Sequence, residues 1–169
     1  MEFFEVVRAR HSIRFFLERP CEDFKISKVL GAANDAPSAG NLQSYDIFLI
    51  KSADKRKAMA EACYNQQAVL SAPTILVFCA DVEKAQKKFS AQAGTLAVED
   101  TAIAASYAQL AATAEGLSSV WIGYFDENKV RELLGATKLK PICVMPLGYA
   151  GEKPNITSRR SLSDVVHEM

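Results

Sequence analysis

Two segments of the chain concentrate positive charge together with hydrogen-bond donors. Residues 8–14 (RARHSIR) carry three arginines and no acid, hence +3, and residues 153–160 (KPNITSRR) carry one lysine, two arginines and no acid, also +3. Arginine matches the oxygens of a phosphate bidentately, and a serine hydroxyl adds a neutral donor. Cations are equally typical of a solvated helix end or tail. An anion site and a solvated surface therefore both stay open as interpretations of these residues.

Three further motifs place small or polar residues where a ligand could approach the backbone. The loop sequence APSAGNLQ at 36–43 combines hydroxyl, amide and small side chains. In VWIGY at 120–124, Gly123 falls where a strand is expected to continue, which indicates a bulge, a close approach by a ligand or a local packing accommodation. The sequence PLGY at 146–149 precedes a final pair of arginines. Each motif alone is also typical of ordinary loops and strand ends.

Composition excludes several classes of partner. The 169-residue chain has 20 Lys plus Arg and 20 Asp plus Glu, so its formal net charge of zero argues against nucleic acid and anionic membranes as partners. No apolar run reaches the roughly 18 residues of a membrane span, and no signal peptide is expected at the N-terminus. The length predicts a single domain over residues 1–169.

The four cysteines predict neither a metal site nor a disulfide framework. Cys21, Cys63, Cys79 and Cys143 form no C-x-x-C pair, and the chain has only two histidines. Cys79 and Cys143 lie inside apolar runs and are predicted to be small buried hydrophobes. This cysteine usage is typical of a reducing compartment, so we expect a cytoplasmic protein without a bound metal.

Helix and strand patterns alternate along the chain. Apolar periodicity and end signals predict helices at about 2–10, 23–35 with Asp23 as N-cap, 54–64, 66–71, 81–89, 95–115 and 126–134. Apolar runs predict strands at 45–51, 74–80, 119–124 and 142–150, with the second covered on both faces and Pro146 at a strand end or bulge. Helices outnumber strands, which predicts an α+β fold with a small sheet packed by helices.

The long helix predicted at 95–115 is rich in alanine and ends at Gly116. Its small side chains allow close helix packing, either inside one subunit or at an intimate homodimer interface, and the sequence leaves both open. Asp100 interrupts the apolar pattern. We expect its carboxylate to accept hydrogen bonds from buried donors rather than to act as a catalytic acid.

Taken in order, these motifs resemble the short form of the FMN-dependent nitroreductase family. The matching sequence runs from Phe3 to His167 and includes R-x-R-x-S-x-R, APSAGNLQ, W-I-G-x-F-D after an alanine-rich helix, PLGY and a terminal R-R-x-L. The resemblance implies a three-layer sandwich, with a small, mostly antiparallel sheet flanked by helices. It also implies an intertwined homodimer with two FMN sites at the subunit interface.

The resemblance further implies which residues bind FMN. Arg10 and Ser12 are expected at the phosphate and ribityl chain, and Arg14 at the pyrimidine edge of the ring. The other residues of these segments that the resemblance assigns to the cofactor are His11, Arg159 and Arg160, with both final arginines near the phosphate. The remaining implied contacts are Asn65 and Gln66 to the ring, a backbone N–H from Ile122, Gly123 or Tyr124 near flavin N5, and Pro37, Ser38 and Asn41 of the partner subunit.

The implied activity is a ping-pong transfer of hydride from NADH or NADPH through flavin N5 to a small-molecule acceptor: a nitroaromatic compound, a quinone or a free flavin. No side chain is assigned as a catalytic acid or base, and His11 is expected in packing or a backbone contact. Two alternatives remain: a relative of flavin-degrading or reductively dehalogenating members that lacks their lid, and a non-catalytic flavin-binding dimer.

The sequence also departs from the pattern of larger family members. Ala68 stands where those members carry a lysine, and residues 42–45 (LQSY) stand where proline and tryptophan are common. Only residues 82–94 separate the second strand from the long helix, so the helical cover of larger relatives is expected to be missing. A short cover predicts an open site with poor discrimination between substrates.

Overall fold

A computed structural model describes residues 1–169 as helices packed on a four-stranded sheet. The helices are α1 (Phe3–Ala9), α2 (Asp23–Asn34), α3 (Ala53–Ala62), α4 (Gln67–Ser71), α5 (Val82–Phe89), α6 (Ala93–Ala114) and α7 (Glu127–Leu134). The strands are β1 (Tyr45–Ile50), β2 (Thr74–Ala80), β3 (Ser118–Ser119) and β4 (Lys140–Gly148). Short 3₁₀ turns occupy Ala39–Asn41, Ser90–Gln92 and Leu162–Asp164.

The sheet has the order β1-β2-β4-β3, and every pairing is antiparallel. Side chains alternate along the central strand β2: Ile75 and Val77 enter one core, and Leu76 and Phe78 enter the other. The first core is closed by side chains of α3, α4 and α7, and the second by α2 and α6. The result is a three-layer sandwich with β2 buried on both faces, as predicted from its continuous apolar run.

The prediction for the third strand is wrong in its length. A strand was expected over 119–124, but regular pairing stops after Ser119, and only an isolated bridge joins Ile122 to Val144. In the register set by these pairs, Val120 lies opposite Pro146, which lies inside β4 rather than at its end or at a bulge. Proline has no N–H to donate to the Val120 carbonyl, so the ladder is interrupted there. The bulge of this sheet lies elsewhere in β4, where the extra residue Ile142 stands opposite the step between Phe78 and Cys79 of β2.

Most helix ends agree with the sequence signals, with one correction. Asp126 caps α7 by accepting hydrogen bonds from the N–H groups of residues 128 and 129, and Gly135 ends that helix with a left-handed φ of 64°. Gly116 follows α6 with a φ of 72°. Asp23, however, is the first residue of α2 rather than its N-cap, a position that Glu22 occupies without a side-chain capping bond.

The alanines of α6 serve packing within the subunit. Ala104, Ala105, Ala108 and Ala112 are fully buried in the core formed with α2 and the sheet. The opposite side of the same helix leaves Ile103 36% and Tyr107 41% exposed. Close packing of small residues therefore occurs inside the subunit, and a different face of α6 remains open to a partner.

All four cysteines are free and buried. Burial raises the pKa of the Cys63 and Cys79 thiols to about 12 and also raises the pKa of Cys21 and Cys143, because an apolar surrounding disfavours the thiolate. The prediction that Cys79 and Cys143 are buried hydrophobes is confirmed. No helix combines the length and the apolarity needed to cross a membrane.

The tyrosine of the PLGY motif connects the end of β4 to α2. The Tyr149 hydroxyl donates to Glu22 Oε2 at 2.7 Å and accepts from Lys25 Nζ at 3.1 Å, while Arg19 lies 3.9 Å above the ring centroid. The hydrogen bond from Tyr149 holds the pKa of the Glu22 carboxyl at about 2, below its ordinary value of 4.5. This network fixes the chain just before the second cationic segment.

We expect Tyr149→Phe to raise the pKa of Glu22 and to weaken the fold above about pH 4.5. Because the folded-state pKa of Glu22 is lowered, its contribution to the free energy of unfolding is complete above 4.5 and is lost as the pH falls toward 2. The stability difference between the variant and the parent protein should therefore shrink over that range. Carboxyl NMR titration and urea unfolding at several pH values measure both effects.

Tyr107→Phe is the matched control, since that exposed hydroxyl makes no hydrogen bond and its removal should leave Glu22 unchanged. An unaltered Glu22 pKa in Tyr149→Phe would contradict the assignment.

Candidate functional site

The first cationic segment lies along the outer edge of the sheet. Ser12 forms a parallel bridge with Ser119, and the Ile13 N–H donates to the Ser119 carbonyl at 3.3 Å. Burial of Ile13 in the core fixes this stretch of backbone, since the side chain is only 3% exposed. Arg10 remains half-buried and Arg14 exposed, and neither forms an ion pair. Their guanidinium groups are therefore free to bind an anion.

The chain returns past this segment after β4. Phe16 pairs antiparallel with Ala150, and the Gly151 N–H donates to the Phe15 carbonyl at 2.9 Å. Farther along, the Glu152 carboxylate accepts from the Arg14 N–H at 2.5 Å.

Pro154 and half-buried His11 then line one cavity of about 110 Å³. The second cationic segment thus begins beside the first, antiparallel to it.

The two final arginines make no hydrogen bond to the first cationic segment within this chain. Arg159 and Arg160 are both exposed. The Arg159 guanidinium donates to Thr157 Oγ1 at 3.1 Å and to the Ser158 carbonyl at 3.3 Å, and Arg160 makes no hydrogen bond. Neither arginine forms an ion pair, so both predicted phosphate ligands keep their charge available.

The APSAGNLQ sequence forms a tight turn with its polar groups at the surface. Gly40, Asn41 and Gln43 all have left-handed backbones, with φ of 54°, 56° and 46°. Ser38 Oγ accepts from the Gln43 N–H at 3.0 Å, and Asn41 Oδ1 accepts from Gln43 Nε2 at 2.7 Å. Pro37 and Asn41 are exposed, so this face of the turn is open.

Asp100 anchors that turn to α6. Its carboxylate, 2% exposed, accepts from the Ala39 N–H at 2.7 Å and from Ser44 Oγ at 2.5 Å. Charge-assisted hydrogen bonds of this length are stronger than neutral ones. The expectation that Asp100 is a structural partner of buried donors is confirmed.

Two lysines of α5 hold the turn from its other side. Lys84 Nζ donates to the Gln43 carbonyl and Lys88 Nζ to the Gly40 carbonyl, each at 3.0 Å. Neither lysine belongs to a predicted site motif, although their spacing of four residues on a helix indicates that both lie on one face. Helix α5, which lies in the short segment where larger family members carry a helical cover, thus supports the turn.

A third group of site residues lies where α3 meets α4. The Gln66 side-chain amide donates to the Tyr124 carbonyl at 2.7 Å and to the Cys63 carbonyl at 3.0 Å, which brings residues 65–66 next to the WIGY motif. Asn65 has a left-handed φ of 55°, and its exposed side chain makes no hydrogen bond. Its amide is therefore available to a ligand.

The backbone hydrogen bonds of the WIGY motif show which of its predicted N–H donors remain free for a ligand. The Ile122 N–H donates to the Val144 carbonyl at 2.9 Å, so Ile122 has no free backbone donor for a ligand. The N–H groups of Gly123 and Tyr124 have no partner in the chain. A Cβ on Gly123 would meet only Trp121 Nε1 at 3.4 Å, which makes packing a weak reason for glycine here.

One chain holds the predicted site in two separate parts. The turn at 37–43 is attached to α6 at Asp100, whereas His11 lines its cavity together with Thr113 and Leu117 at the other end of that helix. From residue 100 to residue 113, a helix rises about 20 Å at roughly 1.5 Å per residue. Arg10, Ser12 and Arg14 therefore do not meet Pro37, Ser38 and Asn41 within a single subunit.

Comparison with known proteins identifies the family of this chain. The model described as "Nitroreductase family" matches residues 7–73 and 63–149. The chain belongs to the nitroreductase family. Family membership agrees with the three-layer fold and with the motif order in the sequence.

Three similar proteins illustrate the relationship. A protein of Archaeoglobus fulgidus, provisionally named an NADH dehydrogenase/NAD(P)H nitroreductase, is 33% identical, and the match covers 88% of this chain and 85% of that protein. The NADPH-flavin oxidoreductase of Vibrio harveyi is 31% identical over 97% of this chain and 72% of its own length. The solved structure of the Vibrio harveyi NADPH:FMN oxidoreductase complexed with NAD+ superposes with a TM-score of 0.89 at 30% identity, covering 98% and 76% of the two chains.

We expect Asp100→Ala to lower the free energy of unfolding by about 3 kcal/mol, because each hydrogen bond to a charged acceptor contributes roughly 1.5–3 kcal/mol and two donors are left unpaired. Urea unfolding measures the change. Asp46→Ala removes an exposed carboxylate that accepts no hydrogen bond, so it should change stability by less than about 0.5 kcal/mol. Equal losses in the two variants would show that Asp100 anchors nothing.

Proposed function

We propose that the protein is an FMN-dependent NAD(P)H oxidoreductase. The observation that carries the proposal is the antiparallel approach of two cationic segments, whose arginines form no ion pair, beside β3. A phosphate dianion neutralises such a cluster, and arginine is the side chain best suited to hold it. The Vibrio harveyi relative is named for NADPH and FMN, which agrees with this ligand chemistry.

The residues present suit the ring of FMN as well as its phosphate. Asn65 offers an amide without an internal partner, and Gly123 and Tyr124 offer free backbone N–H donors for a ring nitrogen. The exposed guanidinium of Arg14, which the family resemblance places at the pyrimidine edge, would supply positive charge that favours an electron-rich ring, because opposite charge stabilises it. When bound, FMN supplies the hydride chemistry itself, accepting from a reduced nicotinamide and donating to an acceptor.

The protein's own part is to bind and orient, since no side chain is placed as an acid or base. Reduced nicotinamide and the acceptor use one position in turn, so the kinetics are ping-pong. The acceptors are small planar oxidants: nitroaromatics, quinones or free flavins. The four buried free thiols favour a reducing compartment, the cytoplasm, for this activity.

A complete site requires two copies of the chain. The two parts of the site are attached about 20 Å apart on α6, so the turn of one copy must meet the cationic segment of another. An apolar face lies on α1 and α6, with exposures of 64% for Phe3, 69% for Phe4, 36% for Ile103 and 41% for Tyr107. The two helices pack together, and exposed apolar side chains grouped on neighbouring helices are typical of an interface. We therefore assign a homodimer with Pro37, Ser38 and Asn41 of the partner subunit at each site.

We expect the FMN-loaded protein to lose the visible absorbance of oxidised flavin when NADH or NADPH is added without oxygen. Menadione or a nitroaromatic compound should then restore the absorbance. Bound flavin that stays oxidised would favour a non-catalytic flavin-binding dimer. Reduction without reoxidation by either oxidant would favour a relative with flavin-degrading or dehalogenating activity. A protein that takes up no FMN would overturn the proposal.

We expect Arg10→Ala combined with Arg159→Ala to weaken FMN binding more than 100-fold, because two phosphate contacts of roughly 1.5–3 kcal/mol each are removed. Quenching of FMN fluorescence during titration gives the Kd. Lys55→Ala with Lys57→Ala removes the same charge from the exposed surface of α3 and should leave the Kd nearly unchanged. Comparable weakening in both double variants would mean that net charge, not these arginines, holds the phosphate.

A further inference from the structure

Two exposed tyrosines are packed together beside the candidate site. The rings of Tyr64 and Tyr124 have centroids 4.6 Å apart and planes inclined by 31°. Their side chains come from different segments, yet they remain 52% and 72% exposed. Each ring therefore keeps a free face in addition to the one that contacts its neighbour. Aromatic surface left exposed in this way is suited to a further flat ligand.

The backbone holds Tyr64 in an unfavourable conformation. Its φ of 56° lies in the left-handed region, which a residue with a bulky side chain rarely adopts. Asn65 follows with a φ of 55°, but asparagine tolerates that region. Backbone hydrogen bonds at the end of α3 impose this geometry: the Tyr64 N–H donates to the Glu61 carbonyl at 3.1 Å, and the Asn65 N–H donates to the Ala60 carbonyl at 2.8 Å. A left-handed residue directly after the C-cap of a helix is typical of a Schellman motif, where glycine is usual, so Tyr64 occupies a position that also suits glycine.

Gln66 joins the end of α3 to the segment of Tyr124. Its side-chain amide donates to the carbonyl groups of both Cys63 and Tyr124, so one residue ties together the two segments that carry the rings. Cys63 is fully buried, so these two hydrogen bonds are anchored in the core. The tyrosine pair is therefore a fixed feature of the surface.

We propose that Tyr64 and Tyr124 form a stacking platform that selects planar aromatic electron acceptors. The inference rests on the proposed function, since the two rings adjoin Asn65 and Gly123, the residues proposed to face the flavin. A small quinone has little besides its ring through which to bind. A nicotinamide nucleotide also offers phosphates and a second base. Loss of the platform should therefore weaken binding of the acceptor more than binding of the reductant.

The test uses the FMN-loaded protein and its Tyr64→Gly variant. We expect the KM for menadione to rise about five- to tenfold, because stacking with an aromatic ring is lost. The kcat/KM for ferricyanide, which has no aromatic ring, should change less than twofold. The midpoint of thermal unfolding should not fall, since glycine adopts this φ freely.

Tyr64→Phe is the matched control, because it keeps the ring and should retain the menadione KM of the parent protein. An unchanged menadione KM in Tyr64→Gly, or an equal loss with menadione and ferricyanide, would overturn the platform while the oxidoreductase activity stood. A parent protein that NADH and NADPH fail to reduce would instead overturn the proposed function and the platform with it.

Discussion

The buried carboxylate of Asp100 is the contact on which the arrangement of the candidate site depends. It belongs to α6 and accepts hydrogen bonds from the Ala39 N–H inside the turn and from Ser44 Oγ directly after it. An uncompensated charge at this depth would be costly, so the two donors and the carboxylate require one another. Because α5 packs on α6 and contributes two lysines to the same turn, α6 positions both the carboxylate and the lysine contacts of the turn.

Local sequence patterns predict most of the fold because most elements bury a clear apolar face. The run at 74–80 has no polar interruption, and it forms the strand buried on both sides of the sheet. The exception is the stretch after Ser119. Its apolar residues favour a strand, but pairing depends on a donor that Pro146, distant in sequence, does not have. A non-local partner decided this element, and no window of neighbouring residues contains that information.

The candidate site was predictable in its residue types and less so in its contacts. The unbalanced charge of two short segments left an anion site open beside a solvated surface, and the structure places the beginning of one segment beside the other. The left-handed backbone of Tyr64 had no sequence signal, because the end of α3 places a tyrosine directly after the C-cap, where glycine is usual. Likewise, the occupied N–H of Ile122 follows from a bridge to Val144 that its own motif does not specify.

The burial of all four thiols has a chemical consequence if quinones are among the acceptors, as proposed. Quinones are electrophiles that become covalently attached to sulfur, and the thiolate rather than the thiol is the attacking form. With the pKa of Cys63 and Cys79 at about 12, those groups are protonated at neutral pH as well as enclosed. The chain thus presents buried thiols rather than exposed thiolates to the quinones proposed as acceptors, which protects those thiols from arylation.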